Sequence, residues 1–126
     1  MEMKFYQCAH CGQIVAIVKK TGVPVICCGE PMKEIVPGTT DAAVEKHVPV
    51  VKEEDNKVLV TCGEVIHPME EKHYIEFMIL ETNKDIKIQY LHPGDEPICS
   101  FSLKDDEKVV AAYAYCNLHG LWKNNS

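Results

Sequence analysis

Two pairs of cysteines near the N-terminus are the feature that most constrains the fold of this 126-residue chain. Cys8 and Cys11 form a C-x2-C motif, and the adjacent Cys27 and Cys28 follow after fifteen residues. Two thiolates three positions apart can bind one metal ion from a tight turn, and a second pair completes a tetrahedron. The spacing therefore predicts a four-thiolate metal site, for which zinc and iron are both suitable.

The adjacent pair imposes a condition on the backbone. Neighbouring residues of an extended chain point to opposite sides, so Cys27 and Cys28 can reach one metal only if the chain bends between them. Gly29 follows and permits such a bend, so we expect a distorted tetrahedron. His10 lies inside the first motif, and we expect it to be an exposed loop residue because four cysteines already fill the site.

Composition and charge exclude several classes of protein. The longest apolar run has eight residues, too few to span a membrane, and the N-terminus lacks the regions of a secretory signal. A net charge of −6 without any arginine argues against nucleic-acid binding. We therefore expect a cytoplasmic protein that binds neither membrane nor nucleic acid. Thiols stay reduced there, which favours metal binding over disulfides for the seven cysteines.

The chain divides into a cysteine-rich first domain, residues 1–36, and a longer second domain, residues 42–126. Residues 37–41 are rich in turn formers and are interpreted as a linker. The first domain is too short to form an adequate core without a metal that cross-links it. In the second, β-branched or alternating runs recur between turn signals, which predicts a mainly β chain with an antiparallel sandwich or barrel. The runs are residues 48–51, 58–61, 74–80, 85–90, 98–103 and 109–115.

The second domain carries five further candidate metal ligands. A single histidine is weak evidence, but these residues occur in the motifs E-K-H-V-P, H-P-M, K-H-Y and C-N-L-H-G, at expected loops or strand ends. Loops on a rigid sandwich often carry functional sites. The candidates are His47, His67, His73, Cys116 and His119. Cys62 and Cys99 lie in β runs, and we expect them to be small buried hydrophobic residues.

These four motifs, in this order after the cysteine-rich domain, resemble the desulfoferrodoxin family of two-iron superoxide reductases. The C-x2-C-x15-C-C spacing is similar to that of desulforedoxin, and the resemblance covers essentially the whole chain. It implies a desulforedoxin-like first domain with a four-cysteine iron, an immunoglobulin-like sandwich, a homodimer and an anaerobic host. It also implies a second iron with His47, His67, His73 and His119 in one plane and Cys116 as the axial ligand.

Such a site suits the reduction of superoxide to hydrogen peroxide. Neutral imidazoles add no charge, so ferrous iron with one thiolate is positive overall, and five protein ligands leave a sixth octahedral position open. A thiolate opposite that position donates electron density. The resemblance implies that Glu45 binds the oxidised iron, that Lys46 attracts superoxide, and that a small redox protein such as rubredoxin supplies electrons.

Two other functions use the same ligands: a non-catalytic two-iron electron carrier and a structural zinc module that binds proteins. Colour separates zinc from iron, because ferric thiolate sites absorb visible light. Peroxide formation separates the reductase from the carrier. Trp122 follows His119 closely and is interpreted either as packing near the second site or as an anchor for the C-terminus.

Overall fold

The chain folds as two units, Met1–Val36 and Pro37–Ser126. The computed structural model describes residues 3–38 and 44–124, apart from the side chains of residues 44 and 45. Residues 39–41 of the predicted linker lie outside this part. Among the described residues, no helix has the length and apolar character needed to cross a membrane. All the strand pairs in both units are antiparallel, and the one helix of the described residues is a single turn, which confirms the predicted mainly β class.

The first unit contains five short strands in two small sheets. They are β1 (Lys4–Gln7), β2 (Ile14–Ile17), β3 (Ile26–Cys27), β4 (Glu30–Pro31) and β5 (Lys33–Ile35). Strand β1 lies between β2 and β5, and β3 pairs with β4. Among its described residues only Phe5, Cys8 and Met32 are buried. So small a core agrees with the expectation that a metal site stabilises this unit.

The second unit contains seven strands and one helical turn. The helix is α1 (Val44–His47), and the strands are β6 (Pro49–Glu54), β7 (Lys57–Cys62), β8 (Ile75–Thr82), β9 (Ile86–Tyr90), β10 (Ile98–Ser102), β11 (Val109–Cys116) and β12 (Gly120–Lys123). The six strands expected from the sequence are all present. Helix α1 and strand β12 were not predicted.

Two antiparallel sheets make up this unit, with strand orders β10-β7-β6 and β12-β11-β8-β9. Alternate residues of β7 are buried, as expected for a strand with one face on a core. They pack in one apolar cluster with residues of β8, β10 and β11, so the two sheets enclose a common core. The cluster includes Val58, Val60, Cys62, Met78, Leu80, Cys99, Phe101, Ala112 and Ala114. This arrangement is the expected antiparallel sandwich.

The register of the strands brings the histidine motifs to one end of the sandwich. Pro49 at the start of β6 pairs with Cys62 at the end of β7. Cys116 at the end of β11 pairs with both Ile75 and Gly120, the first residues of β8 and β12. Chain segments next to these residues therefore leave the sheets at the same end, and they carry all five ligand candidates.

Candidate metal centres

The first candidate centre is a group of four cysteine thiols, Cys8, Cys11, Cys27 and Cys28, whose sulfur atoms all lie within 4.8 Å of one another. The backbone N–H groups of His10 and Cys11 donate to the Cys8 Sγ, at 3.4 and 3.5 Å. Donation by Cys11 and then by His10 lowers the pKa of the Cys8 thiol to about 6. The turn thus stabilises the thiolate, the form that binds a metal.

A two-residue hairpin presents the adjacent cysteines. Cys27 pairs with Glu30, so Cys28 and Gly29 are the two central residues of the turn between β3 and β4. Both have positive φ, 53° at Cys28 and 79° at Gly29, as the tight hairpin turn preferred by twisted strands requires. This turn is the bend that was predicted between Cys27 and Cys28, and it brings both thiols into the group.

The sulfur spacing fits a bound metal. Sulfurs bound about 2.3 Å from one metal in a tetrahedron lie about 3.8 Å apart. The Sγ atoms of Cys11 and Cys27 are 3.7 Å apart. Hydrogen bonds to the other cysteines of the group raise the pKa of the Cys27 thiol to about 12, and the bond to Cys8 has the largest effect. His10 is exposed, and its Nε2 lies 3.1 Å from a carboxylate oxygen of Glu30.

The second candidate centre lies in the sandwich unit. Side-chain donor atoms of His47, His67, His73 and Cys116 all lie within 4.8 Å of one another. His47, His67 and Cys116 are at most 2% exposed, so these polar groups are removed from water. Burial is the largest cause of a lowered pKa at both His67, where the pKa falls to about 4, and His73. Both imidazoles are therefore neutral near pH 7, as metal ligands must be.

His119 completes a nearly square arrangement of four imidazoles. Neighbouring ring centroids are 4.6 Å apart for His47 and His67, 4.8 Å for His67 and His73, 5.1 Å for His73 and His119, and 4.9 Å for His119 and His47. The diagonal from His47 to His73 is 6.5 Å, so the sides meet close to right angles at His67 and His119. Adjacent rings are steeply inclined, by 77–88°.

The nitrogen positions fit one metal ion. The Nε2 of His47 is 3.1 Å from both the Nε2 of His67 and the Nδ1 of His119. Two nitrogens bound at right angles, each about 2.1 Å from a metal, lie about 3 Å apart. The Nδ1 of His67 lies 2.7 Å from the Pro68 carbonyl and must donate to it, since a carbonyl only accepts. The lone pair of His67 is therefore on Nε2, the atom that faces His47.

The C-N-L-H-G motif forms the hairpin loop between β11 and β12. Cys116 pairs with Gly120, which has a φ of 80°, so glycine is required at the loop end. The loop brings the Nδ1 of His119 to 3.8 Å from the Cys116 Sγ. Burial raises the pKa of the Cys116 thiol, and the N–H groups of Leu118 and His119 oppose this rise. These N–H groups favour the thiolate that a metal would bind.

His73 supplies a further test of the fit. Among the described side chains, its Nε2 is the one buried nitrogen or oxygen without a hydrogen-bond partner. Buried polar atoms in native proteins are nearly always paired, so an unpaired one needs an explanation. A lone pair directed at a metal supplies that explanation. Both groups therefore fit the iron sites implied by the sequence.

The two remaining expected site residues are Glu45, for the oxidised iron, and Lys46, for superoxide. The side chain of Glu45 lies outside the described part of the structure. Lys46 precedes His47 in α1 and is half-buried. The pKa of His73 is lowered first by burial and then by His119, and the positive charge of Lys46 lowers it further.

Three residues outside the expected ligand set lie against the second centre. The Cys62 thiol belongs to the core, as expected, but it also donates to the carbonyls of Lys46 and His47 at 3.4 and 3.5 Å. Trp122 stacks on His47, which decides between its two interpretations in favour of packing at the site. Asn117 bonds to both neighbours of His73. Only its place inside the C-N-L-H-G motif could have indicated that role.

Comparison with known proteins matches both units. Residues 39–125 match the profile of the family described as desulfoferrodoxin, and residues 1–35 match that of the desulfoferrodoxin N-terminal domain. The chain is 48% identical to desulfoferrodoxin of Nitratidesulfovibrio vulgaris over 97% of its length and 95% of the relative's. It is 47% identical to a desulfoferrodoxin homologue of Archaeoglobus fulgidus, covering 97% of this chain and 96% of that one.

A solved structure is similar over the whole chain. The superoxide reductase from Treponema pallidum has a TM-score of 0.82 and 36% identity, with 99% of this chain and 100% of that chain covered. The four-cysteine group and the group of three histidines with Cys116 are consistent with the two iron sites of desulfoferrodoxins. The sequence resemblance is thus confirmed along both units, and the chain belongs to the desulfoferrodoxin family.

Proposed function

We propose that this protein is a superoxide reductase that uses electrons from an external donor. In the reaction, one superoxide anion, one electron and two protons give one molecule of hydrogen peroxide. The observation that carries the proposal is the nearly square set of four imidazoles with the Cys116 thiol beside it. The similar structure from Treponema pallidum is itself named a superoxide reductase, which supports the same activity here.

The residues that would hold the catalytic iron are His47, His67, His73, His119 and Cys116. Iron bound there supplies the single electron by changing between its ferrous and ferric states. His67 is held as the correct tautomer by the Pro68 carbonyl, so its Nε2 lone pair is available without rearrangement. Burial keeps His67 and His73 neutral, and the N–H groups of Leu118 and His119 stabilise a Cys116 thiolate. The ligand set therefore leaves positive charge at the centre for an anionic substrate.

Lys46 and Glu45 are proposed to act on that substrate and on the oxidised centre. Lys46 neighbours His47 and acts electrostatically on His73, so its ammonium can attract superoxide despite the overall charge of −6. Glu45 is proposed to bind the centre once it is oxidised and more positive. Glu45→Ala should then leave superoxide reduction nearly intact but change the ferric absorption spectrum. An unchanged ferric spectrum at neutral pH would mean that Glu45 is only a surface charge.

The first centre, with Cys8, Cys11, Cys27 and Cys28, is proposed to hold an iron that transfers electrons or stabilises its unit. A small redox protein of the rubredoxin kind is the proposed donor, and the protein is proposed to be a homodimer. We also propose a cytoplasmic location, because all seven cysteines are unpaired and that compartment keeps thiols reduced.

The decisive experiment counts products. Iron-loaded protein with an excess of reductant is given a known amount of superoxide, and peroxide and oxygen are both measured. A reductase forms one peroxide for each superoxide and releases no oxygen. Oxygen release would indicate dismutation, and failure to accelerate superoxide consumption would favour the electron carrier. Cys116→Ala and His119→Ala should abolish the reaction, and a colourless protein that binds only zinc would exclude it.

A further inference from the structure

We propose that Asn117 is a positioning residue of the second metal centre. Its side-chain amide fixes His73 relative to the loop that carries Cys116 and His119. The inference rests on the proposed metal site and deepens it. It states that a residue outside the ligand set fixes the distance between His73 and the loop with Cys116 and His119. Asn117 acts through His73 and has no chemical role of its own.

Asn117 makes three hydrogen bonds to the residues on either side of His73. Its Oδ1 accepts from the Tyr74 N–H at 3.0 Å, and its Nδ2 donates to the Lys72 carbonyl at 3.0 Å. Its own N–H donates to the Tyr74 carbonyl at 3.2 Å. A backbone N–H can only donate and a carbonyl can only accept, so these partners fix the orientation of the amide. His73 is thereby held between two anchored neighbours.

The side chain of Asn117 replaces a backbone hydrogen-bond partner where the pairing of β8 and β11 becomes irregular. Strands β8 and β11 pair regularly from Ala111 to Tyr115, and the register then shifts between Tyr115 and Cys116. Such an irregularity redirects the side chains that follow it. Beyond it, the amide oxygen of Asn117, not a backbone carbonyl, receives the Tyr74 N–H. The two strands therefore stay joined next to His73 although the ladder itself is disrupted.

The unpaired nitrogen of His73 shows why such anchoring is needed. Its Nε2 is buried without a hydrogen-bond partner among the described residues, a position that costs free energy until a ligand is bound. A free loop would relieve this cost by turning the imidazole towards water. The mutual hydrogen bonds of His73 and Glu70 fix one side of the turn, at 2.9 and 3.0 Å. Asn117 fixes the other side, so the ring stays directed at the centre.

The test compares Asn117→Ala with Asn117→Asp and with a matched control, Asn83→Ala. Asn117→Asp retains the acceptor for the Tyr74 N–H and loses the donor to Lys72. Asn83 also joins two segments of the same unit: it accepts from the Lys108 N–H at 2.8 Å and donates to the Asp106 carbonyl at 3.3 Å. It belongs to the turn between β8 and β9, so its loss should weaken the fold but not the metal site.

Two measurements on the full chain separate positioning from general stability. The first is competition between the protein and a chelator for cobalt(II), followed by the visible spectrum. For Asn117→Ala we expect the second site to bind cobalt about 10-fold or more weakly, with an altered spectrum, while the four-sulfur site stays unchanged. Asn83→Ala should match the parent at both sites.

The second measurement is hydrogen exchange of the Tyr74 amide in metal-free protein, which should be faster in Asn117→Ala and near the parent rate in Asn117→Asp. The cobalt spectrum of Asn117→Asp should also be closer to the parent's than that of Asn117→Ala.

Cobalt affinity within twofold of the parent in Asn117→Ala would overturn the proposal, as would an equal loss in Asn83→Ala. Unchanged exchange of the Tyr74 amide in Asn117→Ala would overturn it too, since the side chain would not hold that backbone. None of these readouts involves superoxide. A parent protein that binds cobalt as expected but does not reduce superoxide would refute the proposed activity and leave the role of Asn117 standing.

Discussion

The indole of Trp122 lies stacked on the imidazole of His47, with ring centroids 5.0 Å apart and planes inclined by 29°. The indole Nε1–H also donates a 3.0 Å hydrogen bond to the carbonyl of His119. Trp122 is only 3% exposed and lies in β12, at the end of the unit where the ligands gather. Trp122 therefore contacts two neighbouring ligand residues, the imidazole of His47 through its ring and the backbone of His119 through its N–H.

Trp122→Phe should weaken the second centre without removing the aromatic contact to His47. The phenyl ring can still pack on the imidazole, but the His119 carbonyl loses its donor, at a cost of about 1–2 kcal/mol in unfolding free energy. Urea denaturation measures this loss, and chelator competition should show faster removal of metal from the second site. Equal stability and equal metal retention in parent and variant would show that the indole N–H contributes nothing there.

Cys11→Ser should empty the first centre and leave the second loaded. The two ligand sets belong to different units, and the Cys11 Sγ lies in the four-sulfur group. Metal analysis should therefore find one metal per chain, not two. Cys99→Ser is the matched control: Cys99 is 1% exposed in the sandwich core and belongs to neither group, so both metals should remain. Loss of the second metal in Cys11→Ser would contradict the independence of the centres.

Lys46→Ala should slow the reaction with superoxide at low salt. Steering by a charge at the site can raise an association rate about 10-fold or more, and salt weakens it because the Debye length is about 8 Å at physiological ionic strength. The variant should react more slowly and lose or reverse the salt dependence of the parent, with its ferrous site intact. Pulse-generated superoxide mixed with reduced protein at several ionic strengths measures both effects.

The control for Lys46→Ala is Lys57→Ala. Lys57 is exposed at the start of β7, the opposite end of that strand from Cys62, and it should leave the rate unchanged. If Lys46→Ala reacts as fast as the parent at low salt, Lys46 is not the steering charge. Lys72 beside His73 then becomes the candidate.

Glu107→Gln should remove a pH-dependent part of the stability of the sandwich unit. The Glu107 side chain is buried and accepts hydrogen bonds from the Thr82 hydroxyl, the Lys104 N–H and the Lys87 ammonium. These contacts, led by Thr82, lower the pKa of its carboxyl from 4.5 to about 2. Because the pKa is lower in the folded state, the stabilisation is present above the ordinary value and is lost as the pH falls through about 2.

The measurement is the difference in unfolding free energy between parent and Glu107→Gln at several pH values. The parent should be more stable near pH 7, and the difference should shrink as the pH falls below the ordinary carboxyl pKa of 4.5. Protonation of the histidines is common to both proteins and cancels in this difference. A difference that is constant with pH would mean that Glu107 contributes no proton linkage to folding.

Local patterns in the sequence predicted the strands but not which faces are covered. The alternation over residues 85–90 correctly indicated β9. Yet Ile86, Ile88 and Tyr90 are 48%, 50% and 69% exposed, so the described part of the chain leaves this apolar face of β9 largely uncovered. The alternation of polar and apolar residues indicates that one face of a strand is apolar. What packs on that face depends on the tertiary structure.

Two short elements escaped prediction for different reasons. Helix α1 has only four residues, about one turn, so no 3.6-residue period can develop. Strand β12 follows the loop Asn117–His119, and the motif there was interpreted only as a metal-binding turn. Gly120 three residues beyond Asn117 was the available signal, because short loops that end in glycine are typical of hairpins.

The ligand candidates were identifiable because metals require particular donor types. Of the residues that support them, only Trp122 was considered for such a role, as one of two interpretations. Asn117, Trp122 and Cys62 act through hydrogen bonds and packing, for which many residue types are suitable. Their roles depend on which loops meet at the end of the sandwich. That meeting is set by strand register, which the sequence alone did not reveal.

His47 and His119 are 72 residues apart in the chain, yet their ring nitrogens lie 3.1 Å from each other. A metal bound by both closes a loop that spans nearly the whole second unit. By the chain-entropy argument used for disulfides, closing a loop of this length disfavours the unfolded ensemble by roughly 4 kcal/mol. Ejection of the metal by oxidants would therefore remove the catalyst and a major constraint on unfolding together. An inactivated chain would open more often and reach cellular proteases sooner, so turnover of the protein would follow damage to its centre.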